Sequence, residues 1–175
     1  MAELQEGVAT ATETASKIGE KLAGKYLTFK LANEEYGLEI LKVQTIIQMQ
    51  DVTKVPRTPE WVRGVINLRG KVIPVVDLRV KFGLEASEDT EKTCIVVVQI
   101  STNGNDSVVM GIIIDEVNEV PQISASDIQE TPSFGASVNT DFILGMAKLN
   151  DTVKILLDID KVLSSSDIAA IQAAG

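Results

Sequence analysis

The sequence predicts a mostly β protein built as two small barrels packed together. Its 175 residues include 20 Val and 18 Ile against only 14 Leu, and β-branched side chains favour strands over helices. The apolar runs are short and are separated by Gly, Asn and Asp, which is typical of strands joined by tight turns. The second half of the chain also repeats the plan of the first, with about five strands in each half, which suits small barrels better than large sandwiches.

Composition and charge exclude several classes of function. With 16 Lys and Arg against 25 Asp and Glu, the formal net charge is −9. Binding to nucleic acid or to anionic membranes needs clustered cations, so this charge argues against both kinds of partner. The chain has no His and a single cysteine, Cys94, so zinc sites and imidazole-dependent triads are ruled out. Cys94 is interpreted as a buried thiol. We expect neither a metal nor a cofactor.

No segment of the sequence predicts insertion into a membrane. The longest nearly apolar stretch, Val108–Ile114, has seven residues, far short of the roughly 20 that a spanning helix needs. The N-terminus shows no basic segment followed by an apolar run, which is the pattern of a secretory signal. A cytoplasmic protein is therefore expected.

The first 24 residues differ in composition from the rest of the chain. Apolar residues recur there at helical spacing, at Leu4, Val8, Ala11, Ala15, Ile18 and Leu22. Glycines within this stretch weaken the helix by about 1 kcal/mol each. Residues 1–24 are predicted to form a flexible or weakly helical tail, and the alternative is a helix docked on the domain.

A half-buried strand opens the first half of the chain. Apolar residues alternate there with polar ones, as Leu27, Phe29 and Leu31 against Thr28 and Lys30. A turn is predicted at 33–35, followed by a second apolar segment, Tyr36–Ile47. Farther along, Thr58 and Pro59 predict the start of a short helix, with Thr58 as N-cap and Pro59 at the first helical position.

A hairpin follows this predicted helix. Val65–Leu68 and Val72–Val76 are apolar runs of strand length, and Arg69 with Gly70 forms the turn between them. Pro74 lacks a backbone N–H, so its strand is expected at a sheet edge or at a bulge.

The second half shows the same sequence of elements. Four runs predict strands, at Cys94–Ile100, Val108–Ile114, Leu144–Leu149 and Val153–Leu157. Turns are expected at 103–106 and at 150–151. Ser164 is a plausible N-cap for a terminal helix, so residues 164–175 are predicted to form a C-terminal helix or tail.

The two halves align with each other. Gly64, Leu68, Val72 and Asp77 recur 81 residues later as Gly145, Leu149, Val153 and Asp158. Gly37, Ile40 and Val43 recur 74 residues later as Gly111, Ile114 and Val117. Two blocks in the same order indicate a duplicated β unit. We predict one domain over residues 25–163, with duplicated subdomains at roughly 25–88 and 89–163 and a connection at 85–92.

The candidate chemistry is sparse, and no catalytic residue is predicted. Asp115, Glu116 and Glu119 form an acidic cluster, which is interpreted as a solvated edge rather than as a site for a hard cation. Asp77 and Asp158 occupy equivalent hairpin ends, so they are interpreted as turn or helix-capping groups. No nucleophile, base and oxyanion site come together in the pattern.

Recognition remains as the function class that the residues allow. Arg69 lies at a predicted hairpin tip, where an exposed guanidinium can bind a partner's carboxylate. A turn arginine without any such role is an equally good interpretation. Trp61 is interpreted as a core residue, with a partner contact as the alternative.

Several motifs together resemble one family of signalling proteins. They are Tyr36–Ile40, Val55-Pro56, Pro59, Gly64–Gly70, Ile73–Arg79, Gly111–Val117, Gly145 and Leu156–Asp158. In this order they resemble the CheW family of chemotaxis coupling proteins. The likeness runs from about Tyr26 to Leu163, and the stretch GVINLRGKVIPVVDLR is its most specific part.

The resemblance implies a fold and a function. The fold is a pair of five-stranded SH3-like barrels around a shared hydrophobic core, with short helices. The function is that of a non-enzymatic adaptor, recruited to membrane receptor arrays, that joins transmembrane methyl-accepting chemoreceptors to the regulatory domain of the histidine kinase CheA. An adaptor of the same fold in a non-flagellar chemosensory pathway and a small-ligand-binding β-barrel stay open as alternatives.

The resemblance also implies a receptor-binding site. In the family, the cytoplasmic helical tip of the receptor lies in a groove between the barrels. The matching positions here are Val43, Gly64, Arg69, Gly111, Val117, Val120 and Gly145. Small and β-branched groups let a helix approach closely, and Arg69 supplies a directed contact. Thr45 stands where the family often has Glu.

Overall fold

The computed structural model describes residues 19–85, 88–101, 107–132 and 140–163. The strands are β1 (Gly24–Leu31), β2 (Glu34–Glu39), β3 (Val43–Gln48), β4 (Val62–Leu68), β5 (Lys71–Asp77), β6 (Cys94–Ser101), β7 (Ser107–Ile114), β8 (Glu116–Glu119), β9 (Gln122–Ile123), β10 (Ile128–Gln129), β11 (Ile143–Leu149) and β12 (Thr152–Leu157). The helices are α1 (residues 19–22), α2 (Leu78–Lys81) and α3 (Ile159–Val162), with 3-10 helices at Ile40–Lys42 and Ala125–Asp127. The prediction of a mostly β fold is confirmed.

The two sheets share one strand order. One runs β3-β6-β7-β5-β4, and the other contains β8-β1-β2-β12-β11, with β9 added beside β1 and β10 beside β11. Replacing each strand by its counterpart in the other half of the chain converts one order into the other. The register agrees as well, because it shifts between Val62 and Gly64 in one hairpin and between Ile143 and Gly145 in the other.

Each sheet combines strands from both halves of the chain. β5 lies parallel to β7, and β12 lies parallel to β2. The antiparallel pairs β3–β6 and β1–β8 also join the halves. The segments 25–88 and 89–163 are therefore repeats of sequence whose strands interleave. The cause is local, since the turn Ile40–Lys42 carries the chain to the other sheet before β3 begins.

Three apolar clusters fill the fold. The shared core between the sheets includes Leu27, Phe29, Leu38, Val76, Val96, Val98, Ile112, Ile114, Leu157 and Ile159. The barrel of β3–β7 has its own cluster of Ile66, Ile73, Val75, Ile95, Val97 and Ile113. The other barrel has Tyr26, Ile123, Ile128, Ala147 and Leu156. Each cluster contains residues from both halves of the chain, and removal of such apolar surface from water is the main stabilising term in folding.

The start of the domain differs from its prediction in two details. Thr28 is fully buried rather than solvent-facing, and its hydroxyl donates to the Glu119 carbonyl at 2.9 Å, because β8 covers this side of β1. The first turn is formed by residues 32–33 and not by 33–35. Ala32 has a φ of 56°, and its N–H donates to Asp115 at 2.7 Å, which fixes the turn one residue earlier.

The prediction of a helix beginning at Thr58 and Pro59 is wrong. The Thr58 hydroxyl donates back to the carbonyl of Val55 at 2.9 Å, whereas an N-cap side chain accepts from the following backbone N–H groups. The chain makes a single turn, closed by a hydrogen bond of 3.0 Å from the Val62 N–H to the Pro59 carbonyl. It then enters β4 directly.

The hairpin of β4 and β5 is confirmed. Of the two positions expected for Pro74, the sheet edge is wrong, whereas a bulge lies close by, because the register shifts between Val62 and Gly64, opposite Val75 and Val76. β5 is an interior strand between β4 and β7. Its parallel pairing with β7 begins at Val75, so Pro74, which lies opposite Val65 of β4, stands just before the residues paired with β7. A missing N–H is tolerated at such a position.

The interpretation of Asp77 and Asp158 as helix caps is confirmed. The Asp77 carboxylate accepts from the N–H groups of Arg79 and Val80 at the start of α2. The Asp158 carboxylate accepts from the N–H of Asp160 at the start of α3. Both side chains satisfy donors that a helix start leaves free.

Several predicted features lie outside the described residues. They are residues 1–18 of the tail, the turn at 103–106 and the terminal helix from Ser164. At the end of the tail, residues 19–22 are helical and Leu22 packs against the apolar cluster of Tyr26. Within the described ranges, no helix is long and apolar enough to cross a bilayer.

Candidate functional site

Arg69 is exposed at the tip of the β4–β5 hairpin, where the sequence predicts it. Its φ is 52° and that of Gly70 is 86°, and the Gly70 N–H donates to the Asn67 side chain at 3.0 Å. Two successive left-handed residues form a tight turn in which Asn and Gly are favoured. The counterpart hairpin places Asn150 and Asp151 there, at 51° and 65°. An arginine in this conformation is strained by about 1–2 kcal/mol.

Gly64 is buried beneath the chain's own backbone. Residue Thr53 exchanges two hydrogen bonds with Val65, at 2.8 and 2.9 Å, and so lies across β4. A Cβ at Gly64 would overlap the Thr53 carbonyl, and the φ of 148° disfavours any side chain. Gly64 therefore shapes the surface by letting this segment approach.

Gly145 and Gly111 are also buried. A Cβ at Gly145 would stand 3.0 Å from the Gln129 carbonyl oxygen and 3.2 Å from Leu22. A Cβ at Gly111 would stand 2.7 Å from a methyl carbon of Ile95. All three glycines of the predicted site are therefore packed against the chain's own residues, Gly64 and Gly145 against backbone and Gly111 against side chains.

Val43 and Val117 occupy equivalent positions in the two halves. Val43 begins β3 opposite Val98, and Val117 lies on β8 opposite Phe29. Both are partly buried against the shared core. Val120 follows β8 and is 46% exposed. The structure thus brings two of the predicted valines to the places where the chain crosses between the sheets, while Arg69 lies on a separate hairpin.

Thr45, Trp61 and Cys94 are each half-buried. Trp61 packs against the shared core, and the Lys81 ammonium stands 4.5 Å from its ring centre. This supports the interpretation of Trp61 as a core residue with a cation over its outer face. Cys94 packs against the same core, and burial raises the pKa of its thiol, which lowers its nucleophilicity at neutral pH.

Two of the three residues in the acidic cluster are paired with cations. Asp115 accepts several hydrogen bonds from the Arg79 guanidinium, at 2.8 and 3.0 Å from Nε, and one from the Ala32 N–H. The hydrogen bonds between Arg79 and Asp115 raise the pKa of the Arg79 guanidinium. Glu116 stands 3.6 Å from Lys92. In the described ranges, no group of acidic or sulfur side chains is arranged to hold a metal ion.

An ion pair between a buried lysine and a partly exposed glutamate joins β2 and β12, and the sequence pattern missed it. Lys154 is 5% exposed and contacts the Glu35 carboxylate, which also accepts from Asn118. The Lys154 hydrogen bond lowers the pKa of Glu35. In the other half the equivalent residue is Ile73, which lies in an apolar cluster. A lysine in an alternating strand is normally solvent-facing, so only the duplication offset signals this position.

Comparison with known proteins gives a consistent picture. The family model of the CheW-like domain matches residues 25–167. The chemotaxis protein CheW of Klebsiella aerogenes is 38% identical over 165 residues, which cover 94% of this chain and 95% of the relative. The chemotaxis protein CheW of Helicobacter pylori is 35% identical over 139 residues, which cover 79% of this chain and 81% of the relative.

A solved structure agrees with the sequence comparisons. The crystal structure of the scaffolding protein TtCheW from Thermoanaerobacter tengcongensis superposes with a TM-score of 0.71 at 34% identity, covering 83% of this chain and 96% of that chain. The chain is thus similar to these relatives over most of its length, and it has two barrels of one strand order, a shared core and the Arg69 hairpin. The chain belongs to the CheW family and is a chemotaxis scaffold protein.

Proposed function

We propose that this chain is a non-enzymatic adaptor that joins the cytoplasmic helical tip of a methyl-accepting chemoreceptor to the regulatory domain of the histidine kinase CheA. It works in the cytoplasm, at membrane receptor arrays. Arg69, Val43, Val117 and Val120 contact the receptor, and the three glycines Gly64, Gly111 and Gly145 shape the barrels that carry them.

The observation that carries this proposal is the backbone of Arg69. A strained, exposed arginine stands where Asn or Gly would be more stable, and strain of this kind is retained where a side chain has a function. The counterpart turn uses Asn150 and Asp151 and relieves the strain. A guanidinium at a hairpin tip is well suited to bind a carboxylate of a partner helix.

The filling of both barrels supports an adaptor rather than a ligand-binding barrel. Each barrel holds an apolar cluster of its own side chains. Small-molecule sites are instead roomy apolar pockets with a few convergent polar groups. The outer surface is therefore the part of this protein that meets its partners.

Co-sedimentation tests the receptor contact. Arg69→Asn removes the guanidinium and relieves the turn, so the free energy of unfolding should stay the same or rise by about 1 kcal/mol. Binding to a soluble receptor-tip fragment should weaken by about 1–3 kcal/mol, which is typical of a lost charged hydrogen bond. Unchanged receptor affinity would reject Arg69 as a contact. Asp151→Asn, in the counterpart hairpin, is the matched control.

A further inference from the structure

The 3-10 helix Ile40–Lys42, which we name the junction turn, links the two barrels. It leads from β2 in one sheet to β3 in the other, and it packs against both β1 and β6. Val43, a proposed receptor contact, follows it directly. The junction turn is thus continuous with the proposed receptor site.

Leu41 projects from the junction turn into solvent. It is 92% exposed, more than any other large apolar side chain in the described ranges. Its neighbour Ile40 packs against the shared core. A single exposed leucine is ordinary on a protein surface, so its meaning depends on how firmly it is held and on what lies beside it.

An ion pair holds the junction turn in place. The Lys42 ammonium stands 2.9 Å from one carboxylate oxygen of Asp160, and the other oxygen accepts from the Ser101 N–H at 2.8 Å. The junction turn is thereby tied to α3 and to the end of β6. Leu41 is presented on a fixed backbone, which reduces the entropy that a partner must remove on binding.

A recess opens beside Leu41. It has a volume of about 100 Å³, and Leu22, Tyr26 and Ile40 are among the residues that line it, together with Leu41. A cavity of ~150 Å³ admits a benzene ring, so this recess has the size of one aliphatic side chain. Lys21 and Lys25 also line it and are exposed, whereas Glu39, the one acidic residue of the lining, is half-buried. The rim therefore carries a net positive charge, which favours an acidic residue on the docked helix.

We propose that Leu41 and this recess bind one apolar side chain of an amphipathic helix, and that the helix is the receptor tip. The proposal rests on the proposed receptor partner and adds a contact to its site. Helices dock in this way by placing apolar anchors in grooves and leaving charged residues at the rim. The chain is acidic overall, but Lys25 at the recess and Arg69 on the hairpin are exposed cations that can bind carboxylates of the partner.

Three full-length variants test the proposal by titration with a soluble receptor-tip fragment. Leu41→Ser should weaken binding by about tenfold or more, since it removes the burial of one leucine side chain. Leu41→Met keeps the apolar anchor and should bind like the wild type. Val153→Ser changes a valine on β12 that is 52% exposed, so it is the matched control and should also bind like the wild type.

The outcomes separate this contact from the proposed function. If Leu41→Ser binds normally while Arg69→Asn does not, the receptor partner stands and the Leu41 contact is rejected. If the wild-type chain does not bind the fragment, the receptor partner is rejected and the contact with it. The melting temperature of Leu41→Ser should equal that of the wild type. A clear decrease would mean that Leu41 packs against the chain's own residues, which would also overturn the proposal.

Discussion

Gly64 shows how one residue controls the shape of a barrel. Its φ of 148° and the Thr53 backbone above it both exclude a side chain. The family resemblance implies that this glycine is a point of contact for a partner. The structure gives it an internal role, because the chain's own segment fills the space that the missing side chain leaves.

Gly64→Ala should therefore destabilise the fold strongly. We expect a loss of about 2–5 kcal/mol in the free energy of unfolding, from left-handed strain and overlap with the Thr53 carbonyl together. Gly70→Ala is the control, since Gly70 also has a positive φ but has open space around it; it should lose only about 1–2 kcal/mol. Equal losses in urea denaturation would contradict the close approach of Thr53.

The contact between β2 and β12 illustrates how elements from different halves are tied. Lys154 lies directly opposite Glu35 in the parallel register, and the Lys154 side chain is almost fully buried while about a fifth of the Glu35 side chain is exposed. The Glu35 carboxylate also accepts from the Asn118 amide and from the Thr152 hydroxyl, and backbone pairing adds further bonds. The ion pair adds a dependence on pH that backbone hydrogen bonds lack.

Acidification should weaken this contact. The pKa of Glu35 is lowered below its ordinary value of 4.5 by the hydrogen bond from Lys154. A carboxyl with a lowered pKa contributes stability that is present above its unfolded pKa and is lost as the pH falls through the folded one. Glu35→Gln should be less stable than the wild type at pH 7, and the difference in melting temperature should shrink below about pH 4.5. A difference that stays constant down to pH 3 would contradict this role.

The whole molecule is held together by strands that interleave. β1 and β2 complete the sheet of β11 and β12, while β6 and β7 complete the sheet of β4 and β5. Each half of the chain therefore exposes unpaired strand edges and one face of the shared core when it is alone. The stability of the whole molecule therefore depends on both repeats together.

Separate production of residues 25–88 and 89–175 tests this arrangement. Neither half should show the amide dispersion of a folded barrel in a heteronuclear NMR spectrum. Mixed or co-expressed halves should recover much of the dispersion of the intact chain, because each supplies the strands that the other lacks. A well-dispersed spectrum from one half alone would contradict the interleaved fold.

Local patterns in the sequence predict the local parts of this structure. The alternation of Val and Ile identifies the strands, and the turn residues place Arg69 at a hairpin tip. The duplication offset places both helix caps. The strands and turns depend on neighbours within a few residues of each other, and the caps depend on a repeat, so a single sequence contains the information for both.

Features that depend on distant strands were missed. The burial of Lys154 depends on Glu35, which is far away in the chain, and the cover over Gly64 depends on the path of a separate segment. The residues at Thr58 have the local pattern of a helix start, but the chain enters β4 only a few residues later and forms no helix there. Which sheet a strand joins is decided by long-range packing, so the interleaving could not be predicted from the pattern of either half.

The adaptor role is tested most directly by a three-component sedimentation experiment. Receptor-tip fragments assembled on vesicles are mixed with the kinase regulatory domain, with or without the full chain. We predict that the regulatory domain sediments with the receptor only when the chain is present. Arg69→Asn should lose most of this bridging while still binding the regulatory domain in solution. Equal sedimentation of the regulatory domain with and without the chain would contradict the account.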